Sequence, residues 1–264
     1  MKITVKTILD KKNKEKIVAL TAYDYPFARM LDEVEVDIIL VGDSLGMVLL
    51  GYDSTVRVTM REMLHHTKAV SRAVKSSLIV GDMPFSSYHL SEAQAFRNAK
   101  RFIQEGGADA VKLEGGKKVA KTVKALVTGG IPVIGHLGMT PQTATFLGGY
   151  KVQGRESKKA KEIFDDALRL EDAGVFALVL ECVPRKLAER ITKKISCATI
   201  GIGAGPQVDG QILVLHDMLG FESPFHPRFI RRYAEFQKLA IQAFTRFTAD
   251  VRSGAFPSLQ ESFE

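Results

Sequence analysis

The chain has very little cysteine and no long hydrophobic run. Its two cysteines, Cys182 and Cys197, form neither a CxxC motif nor a zinc-ligand pattern, which excludes a disulfide scaffold and predicts buried free thiols. No stretch reaches the roughly 20 apolar residues that span a bilayer, and residues 1–5 lack the hydrophobic region of a signal peptide. The sequence therefore predicts a soluble, cytoplasmic protein with no membrane partner.

The chain also lacks low-complexity segments, internal repeats and a concentrated basic stripe. Its net charge is +7, but the basic residues come mostly as scattered pairs such as Lys11/Lys12 and Lys193/Lys194. Scattered pairs are typical of solvated helix faces, whereas nucleic-acid binding needs basic residues gathered on one surface. We expect no nucleic-acid partner, and the excess positive charge is compatible with a small anionic substrate.

Apolar runs that alternate with helical patterns predict the fold. The predicted strands are residues 17–22, 38–42, 78–81, 110–113, 132–135, 177–180, 198–202 and 212–215. Helix signals lie between them, including the capping boxes Thr59/Glu62 and Ser91/Gln94, and Gly174 as a helix stop. Eight βα units in about 250 residues favour a closed (β/α)8 TIM barrel over an open doubly wound sheet.

The last segment, residues 228–252, predicts a long amphipathic helix at the end of a single domain that covers residues 1–264. Helical spacing places on one side Phe229, Tyr233, Phe236, Ala240, Phe244 and Phe247. Such a side either packs on the barrel as its final helix or contributes to a subunit interface. Core packing is the favoured interpretation.

Four of the apolar runs end at a carboxylate. They are residues 38–43, 78–82, 108–114 and 176–181, which end at Asp43, Asp82, Glu114 and Glu181. Active sites of such barrels lie at the carboxyl ends of the strands. Strand alternation predicts that Lys112 and Glu114 share the inner face, and that Asp43 shares a face with Ile39 and Val41. We therefore expect the four acids and Lys112 to converge at the barrel mouth.

Several carboxylates and one lysine cannot all stay charged and dry without a further cation. The donors are oxygen atoms and no His/Cys set accompanies them, which indicates Mg²⁺ or Mn²⁺ rather than zinc. The alternative is that each acid caps the following helix or pairs with a nearby Lys or Arg.

Further polar and glycine-rich segments follow the strands. His136 comes after the predicted fifth strand and either orients a loop or takes part in chemistry. The glycines of residues 201–205 suit phosphate binding or a tight turn without a ligand. The long connections 45–58 and 137–154 are typical of lids.

Several motifs together resemble the ketopantoate hydroxymethyltransferase family. They are TAYD at 21–24, VGDSLG at 41–46, VKLEGG at 111–116, GHLGMTPQ at 135–142, GGYKVQGR at 148–155, LECVP at 180–184, GIGAG at 201–205 and DGQ at 209–211. The resemblance covers nearly the whole chain. The tail with Glu261 and Glu264 departs from the family, in which the tail often contains histidine.

The resemblance implies the first committed step of pantothenate synthesis. In that step 5,10-methylenetetrahydrofolate gives a hydroxymethyl group to 3-methyl-2-oxobutanoate, through a Mg-stabilised enolate, to form 2-dehydropantoate. The residues that it implies are Asp43, Asp82 and Glu114 for one Mg²⁺ per subunit, Asp43, Ser44, Asp82 and Lys112 for the keto acid, and Glu181 for the base. It also implies a fold like phosphoenolpyruvate mutase and isocitrate lyase, and a homodecamer.

Two other functions stay open at this point. One is a different metal-dependent carbon-carbon lyase or mutase that acts on a phosphorylated or dicarboxylic substrate. The other is a non-catalytic barrel that binds an anion and uses its acids as helix caps.

Overall fold

A computed structural model of the chain describes residues 1–144, 151–221 and 227–264. Its parallel strands pair in chain order, and the eighth pairs with the first, so the predicted closed barrel is confirmed. The strands are β1 Ile17–Thr21, β2 Ile38–Val41, β3 Leu78–Asp82, β4 Ala110–Glu114, β5 Val133–Gly138, β6 Ala177–Glu181, β7 Ala198–Ile202 and β8 Gly210–Leu213. The last strand thus begins and ends two residues before its predicted bounds, because a helix starts at Leu215.

The helices follow the strands as the alternation predicts, except that the first helix precedes β1 and that the described residues between β7 and β8 form no helix. They are α1 Val5–Lys11, α2 Tyr25–Glu33, α3 Leu45–Val48, α4 Met60–Ala73, α5 Glu92–Gln104, α6 Ala120–Thr128, α7 Ser157–Ala173, α8 Arg185–Lys194, α9 Leu215–Leu219 and α10 Phe236–Ser253. Both halves of the Thr59/Glu62 capping box are present. Ser91 also accepts its bond from the Gln94 backbone, but the Gln94 side chain bonds the Leu90 N–H instead of closing the box. Gly174 ends α7 with a left-handed φ of 99°.

The barrel interior is a cluster of aliphatic residues from alternate strand positions. Val80, Ala110 and Val179 belong to it, so the predicted inner face holds for Asp82, Lys112, Glu114 and Glu181. The predicted face of Asp43 is wrong, because Ile38 and Leu40 join the cluster while Ile39 and Val41 do not. Asp43 reaches the mouth because β2 ends at Val41 and the chain turns there, which frees Asp43 from strand alternation.

The amino-terminal rim of the barrel repeats one polar arrangement three times. Asp37, Asp109 and Asp209 stand immediately before β2, β4 and β8. Each accepts a hydrogen bond from a backbone N–H of the preceding strand, at 2.9 Å from Val18, 2.8 Å from Ile79 and 2.8 Å from Thr199. Each also pairs at 2.8 Å with a lysine near the amino terminus, namely Lys11, Lys2 and Lys12. Since Ile8 of α1 enters the barrel core, these pairs hold α1 against that end.

Residues Leu215–Glu264 form a second compact unit besides Met1–Val214. In it α10 begins at Phe236, later than predicted, and the N–H of Tyr233 bonds to the Met218 carbonyl instead of joining a helix. No side chain of α10 is buried, and Phe244 is 67% exposed. The packing of this helix on the barrel stays a prediction. Among the described residues, no helix has the length and apolarity needed to cross a membrane.

The Lys12–Asp209 pair gives a stability prediction. We expect Asp209→Asn to lower the free energy of unfolding by about 3 to 5 kcal/mol, because it leaves the buried Lys12 ammonium unpaired and places an amide against backbone donors. Urea unfolding followed by circular dichroism measures this loss. The control is Asp10→Asn, which removes an exposed pair with Lys6 and is expected to have no measurable effect. Equal unfolding midpoints for both variants would contradict the role of the rim pairs in holding α1 against the barrel.

Candidate active site

The four predicted acids all lie at the carboxyl ends of strands. Asp82, Glu114 and Glu181 are the last residues of β3, β4 and β6, and Asp43 lies just past β2. None of them caps a helix, since the residues that precede α3, α5, α6 and α8 are Ser44, Ser91, Val119 and Pro184. The helix-cap interpretation of these acids is therefore wrong.

Lys112 is the cation at the centre of this cluster. Its Nζ lies 2.8 Å from Asp82 Oδ1 and 3.8 Å from Glu114 Oε1, and all three side chains are buried. The second Asp82 oxygen, Oδ2, accepts the backbone N–H of Asp43 at 3.2 Å. The structure thus brings Asp43, Asp82, Lys112 and Glu114 together as predicted.

His136 joins the acid cluster to Glu181. Its Nδ1 lies 3.3 Å from Lys112 Nζ and 3.5 Å from Glu114 Oε1, and its Nε2 lies 3.1 Å from Glu181 Oε2. The sequence interpretation ended the fifth strand at Gly135, whereas β5 continues to Gly138 and contains His136. Continuing the inward alternation of Ile134 by two residues would have found this position.

The crowded charges shift pKa values in opposite directions. Burial, with the nearby charges of Asp82 and Glu114, raises the pKa of Asp43 well above its ordinary value. Burial opposes ionisation of Lys112, but the surrounding carboxylates outweigh it and raise the pKa of the ammonium. Burial also opposes ionisation of Glu114, yet the hydrogen bond with His136 and the charge of Lys112 lower the pKa of this carboxyl. One lysine therefore does not neutralise the cluster.

The backbone on both sides of Glu181 fixes its position. Gly138 has a φ of 100°, and a Cβ there would lie 2.1 Å from the Glu181 carbonyl oxygen, so only glycine permits this approach of β5 to β6. Cys182 has a φ of 48°, a conformation that is costly for a non-glycine residue. The Glu181 side chain is 13% exposed, compared with 2% for Asp82 and Glu114. Glu181 is therefore held firmly but stays more accessible than those two acids.

Four further polar residues complete the mouth. The Ser44 hydroxyl lies 2.9 Å from the Tyr23 hydroxyl, and either of the two can donate the hydrogen bond. Gln142 follows β5, and its side chain bonds both Asp43 and the Tyr88 hydroxyl. Sequence reasoning assigned no role to Gln142 or Tyr88, because both lie outside regular strands and neither carries a charge.

The structure refines the predicted loops and thiols. Gly203 and Gly205 have φ values of 65° and 88°, so tight turning alone requires glycine there. The connection 45–58 contains α3 and a 3-10 turn, while 145–150 of the other connection lie outside the described residues. The two cysteines are free, as predicted, although Cys182 is only partly buried. Burial raises the pKa of both thiols to about 12.

The oxygen atoms of the cluster suit a divalent cation. Asp82 Oδ1 forms its ion pair with Lys112, and Glu114 Oε1 lies 3.5 Å from His136 Nδ1; both oxygens are buried and neither accepts a hydrogen bond of regular geometry. Within the described ranges, no group of three or more His, Cys, Asp or Glu side chains is placed to hold a metal ion. Mg²⁺ is usually held by one or two carboxylates while water and substrate complete its shell, so the residues present fit such an ion.

Comparison with known proteins identifies the family. The family described as ketopantoate hydroxymethyltransferase matches residues 2–259. The chain belongs to the ketopantoate hydroxymethyltransferase family. A relative from Thermoanaerobacter sp. (strain X514), named 3-methyl-2-oxobutanoate hydroxymethyltransferase, is 58% identical over 96% of this chain and 92% of its own. A relative of the same name from Ignicoccus hospitalis is 54% identical over 97% of each chain.

Solved structures agree with the predicted fold of the family. Phosphonopyruvate hydrolase in complex with oxalate and Mg²⁺ has a TM-score of 0.63 and 13% identity, and covers 99% of this chain and 93% of its own. A 2,3-dimethylmalate lyase of the PEP mutase/isocitrate lyase superfamily has a TM-score of 0.61 and 16% identity, and covers 100% of this chain and 93% of its own. These identities show the fold alone. The relatives that are 54% and 58% identical are named hydroxymethyltransferases, so the alternative of a lyase or mutase is not favoured.

Lys112→Met tests the role of the central cation. We expect it to lower the free energy of unfolding by about 3 to 5 kcal/mol, because the buried carboxylates lose the lysine that pairs with them. The loss should be greater at pH 8 than at pH 5.5. Lys112 lowers the pKa of Asp43 and Asp82, so its removal raises both pKa values further. The folded variant then holds protons that the unfolded chain has released, and its stability relative to the wild type falls as pH rises above the ordinary carboxyl pKa.

Urea titrations at the two pH values measure this effect. Lys100→Met on the exposed side of α5 is the matched control and should change neither midpoint. A loss that is independent of pH would contradict the charge argument.

Proposed function

We propose that the chain transfers a hydroxymethyl group from 5,10-methylenetetrahydrofolate to 3-methyl-2-oxobutanoate and forms 2-dehydropantoate. Family membership supports the reaction, which requires a one-carbon donor. The observation that carries the proposal is the division of the mouth into a buried group around Lys112 and the more accessible Glu181. Water supplies the oxygen of the new hydroxyl group, because the methylene carbon of the donor carries no oxygen.

The buried group is suited to a 2-keto acid. Lys112 is the cation proposed to offset the substrate carboxylate, and the Ser44 hydroxyl, 2.9 Å from the Tyr23 hydroxyl, is proposed as a neutral hydrogen-bonding group. Both act by holding the substrate in one orientation, which lowers the entropic part of the barrier. Loss of Lys112 should therefore affect binding as well as stability.

Asp43 and Asp82 would hold one Mg²⁺, with Glu114 in support. The buried oxygen atoms of Asp82 and Glu114 that share the ammonium of Lys112, and the excess negative charge of the cluster, support this assignment. When bound, Mg²⁺ supplies Lewis-acid polarisation of the keto oxygen. Asp82 lies 2.8 Å from Lys112 and accepts the Asp43 N–H, so both acids stand next to the lysine proposed to hold the keto acid.

Glu181 is the proposed base. Its carboxylate takes the C3 proton of the keto acid, and His136, 3.1 Å from Oε2, orients it. The methylene carbon of the donor is bonded to two nitrogens. As C3 bonds to this carbon, one carbon-nitrogen bond breaks and its electron pair returns to that nitrogen. The oxygen of water then replaces the second nitrogen, and the two released nitrogens gain the C3 proton, passed on by Glu181, and one proton of the water. A base must have an oxygen free to accept a proton, and the exposure of Glu181 meets this requirement.

The folate donor, the homodecamer and the cytoplasmic location remain predictions of the sequence. The exposed apolar side chains of α10, such as Leu239 and Phe244, are compatible with self-association. Oxygen ligands alone do not separate Mg²⁺ from Mn²⁺.

Deuterium exchange tests the reaction and its metal together. We expect the protein with Mg²⁺ in D₂O, without folate, to exchange the C3 proton of 3-methyl-2-oxobutanoate, because proton removal precedes transfer. Proton NMR follows the loss of the C3 signal, and a chelator should stop the exchange. Absence of exchange by folded, Mg²⁺-loaded protein would refute the proposed route.

Two substitutions separate base from ligand. Glu181→Gln should slow this exchange by about 100- to 10,000-fold and leave Mg²⁺ affinity nearly unchanged, because the base is not a ligand. Asp82→Asn should instead weaken Mg²⁺ binding first. Isothermal titration calorimetry gives the affinities, and Glu189→Gln on the surface of α8 is the control. A collapse of Mg²⁺ affinity in Glu181→Gln would reassign Glu181 as a ligand.

A further inference from the structure

Gln142 is a buried residue whose side-chain amide and backbone N–H are all hydrogen-bonded. It lies in the 3-10 turn Pro141–Thr143 after β5 and is 3% exposed. Its Nε2 donates to Asp43 Oδ2 and to the Met83 carbonyl, both at 2.9 Å. Its Oε1 accepts from the Tyr88 hydroxyl at 2.7 Å, and its backbone N–H donates to Glu114 Oε2 at 3.1 Å.

These partners determine the direction of the amide. Both hydrogens of Nε2 meet acceptors, a carboxylate and a carbonyl, that have no proton to donate when Asp43 is ionised. The reversed amide would set its oxygen against those two acceptors, which is unfavourable. Tyr88 secures the same direction from the other side. Its hydroxyl accepts the Glu114 N–H at 3.2 Å and has one proton to donate, for which Oε1 at 2.7 Å is a closer acceptor than the Glu114 carbonyl at 3.3 Å.

Gln142 thereby binds one particular oxygen of each of the two carboxylates that it contacts. It engages Oδ2 of Asp43 and Oε2 of Glu114, while the Asp43 N–H engages Oδ2 of Asp82. The opposite oxygen of Asp82 is ion-paired with Lys112, whereas that of Glu114 is buried 3.5 Å from His136 and 3.8 Å from Lys112 without an aligned donor. Gln142 therefore holds one oxygen of Asp43 and one of Glu114, and leaves the opposite oxygen of each outside its hydrogen bonds.

We propose that Gln142 is a positioning residue that turns Asp43 and Glu114 so that one oxygen of each faces a divalent cation. This inference rests on the proposed metal role of these acids. Outer hydrogen bonds of this kind orient metal ligands in proteins, and their loss commonly weakens metal binding. Tyr88 has a supporting part, since it fixes the amide without contacting Asp43.

Gln142→Met tests the proposal with the chain otherwise intact. Methionine keeps the length of the side chain but cannot donate to Asp43, while the backbone N–H bond to Glu114 is unaffected by the substitution. We expect the affinity for Mn²⁺ alone, measured by titration calorimetry and by electron paramagnetic resonance, to fall about 10- to 100-fold. Tyr88→Phe should give a smaller loss in the same direction. Gln104→Met, at the exposed end of α5, is the matched control.

Urea unfolding of each variant separates positioning from support of the fold. A lower unfolding midpoint with wild-type Mn²⁺ affinity in folded Gln142→Met would overturn the inference. If Gln142→Met does not fold, Tyr88→Phe decides, and unchanged Mn²⁺ affinity there overturns the inference. Absence of Mn²⁺ binding by the wild type overturns it as well.

The proposed reaction is judged separately by deuterium exchange of the keto acid in the wild type. Failure of that exchange refutes the reaction, whatever the ratio of Mn²⁺ affinities between wild type and variants. Failure of the Gln142 variants to change Mn²⁺ binding leaves the reaction in place.

Discussion

The ammonium of Lys112 among buried carboxylates is the interaction on which the site depends. Asp43, Asp82 and Glu114 come from three successive strand ends, and closure of the barrel brings them together at its mouth. Burying these charges costs free energy that only an opposite charge at short range offsets. Lys112 offsets part of this cost. The part that remains raises the pKa of Asp43. The cluster is thus built with a deficit of positive charge that a cation would fill.

The two ends of the barrel use aspartate in opposite ways. At the amino-terminal rim Asp209 accepts bonds from Lys12 and from both the backbone and hydroxyl of Thr199, and its pKa is lowered as a result. At the carboxyl mouth the pKa of Asp43 is raised, and Asp82 and Glu114 share the ammonium of Lys112. A carboxylate with its own cation stabilises the fold, whereas carboxylates that share one keep a capacity to bind a further cation. Conservative changes at the two ends should therefore have different consequences, one on stability and the other on chemistry.

Residues inside regular strands were predictable from the sequence. Alternation assigned Lys112, Glu114 and Glu181 to the inner face because their strands run without interruption to the acid. The same rule failed for Asp43, since β2 ends two residues earlier and a turn sets its direction. The predicted fifth strand ends at residue 135, three residues before the end of β5, so His136 falls outside it. Gln142 had no sequence signal, because its role comes from contacts with residues on other strands.

The position of Glu181 explains how one mouth can hold a metal-binding group and a separate base. Glu114 ends β4 and Glu181 ends β6, so one strand, β5, lies between them. His136 projects from that strand and reaches both carboxylates, at 3.5 Å and 3.1 Å. A direct neighbour of Glu114 would be drawn into the same buried charge cluster. The intervening imidazole instead fixes the orientation of Glu181 while an oxygen stays open to the substrate, which is the arrangement that proton removal next to a polarised carbonyl requires.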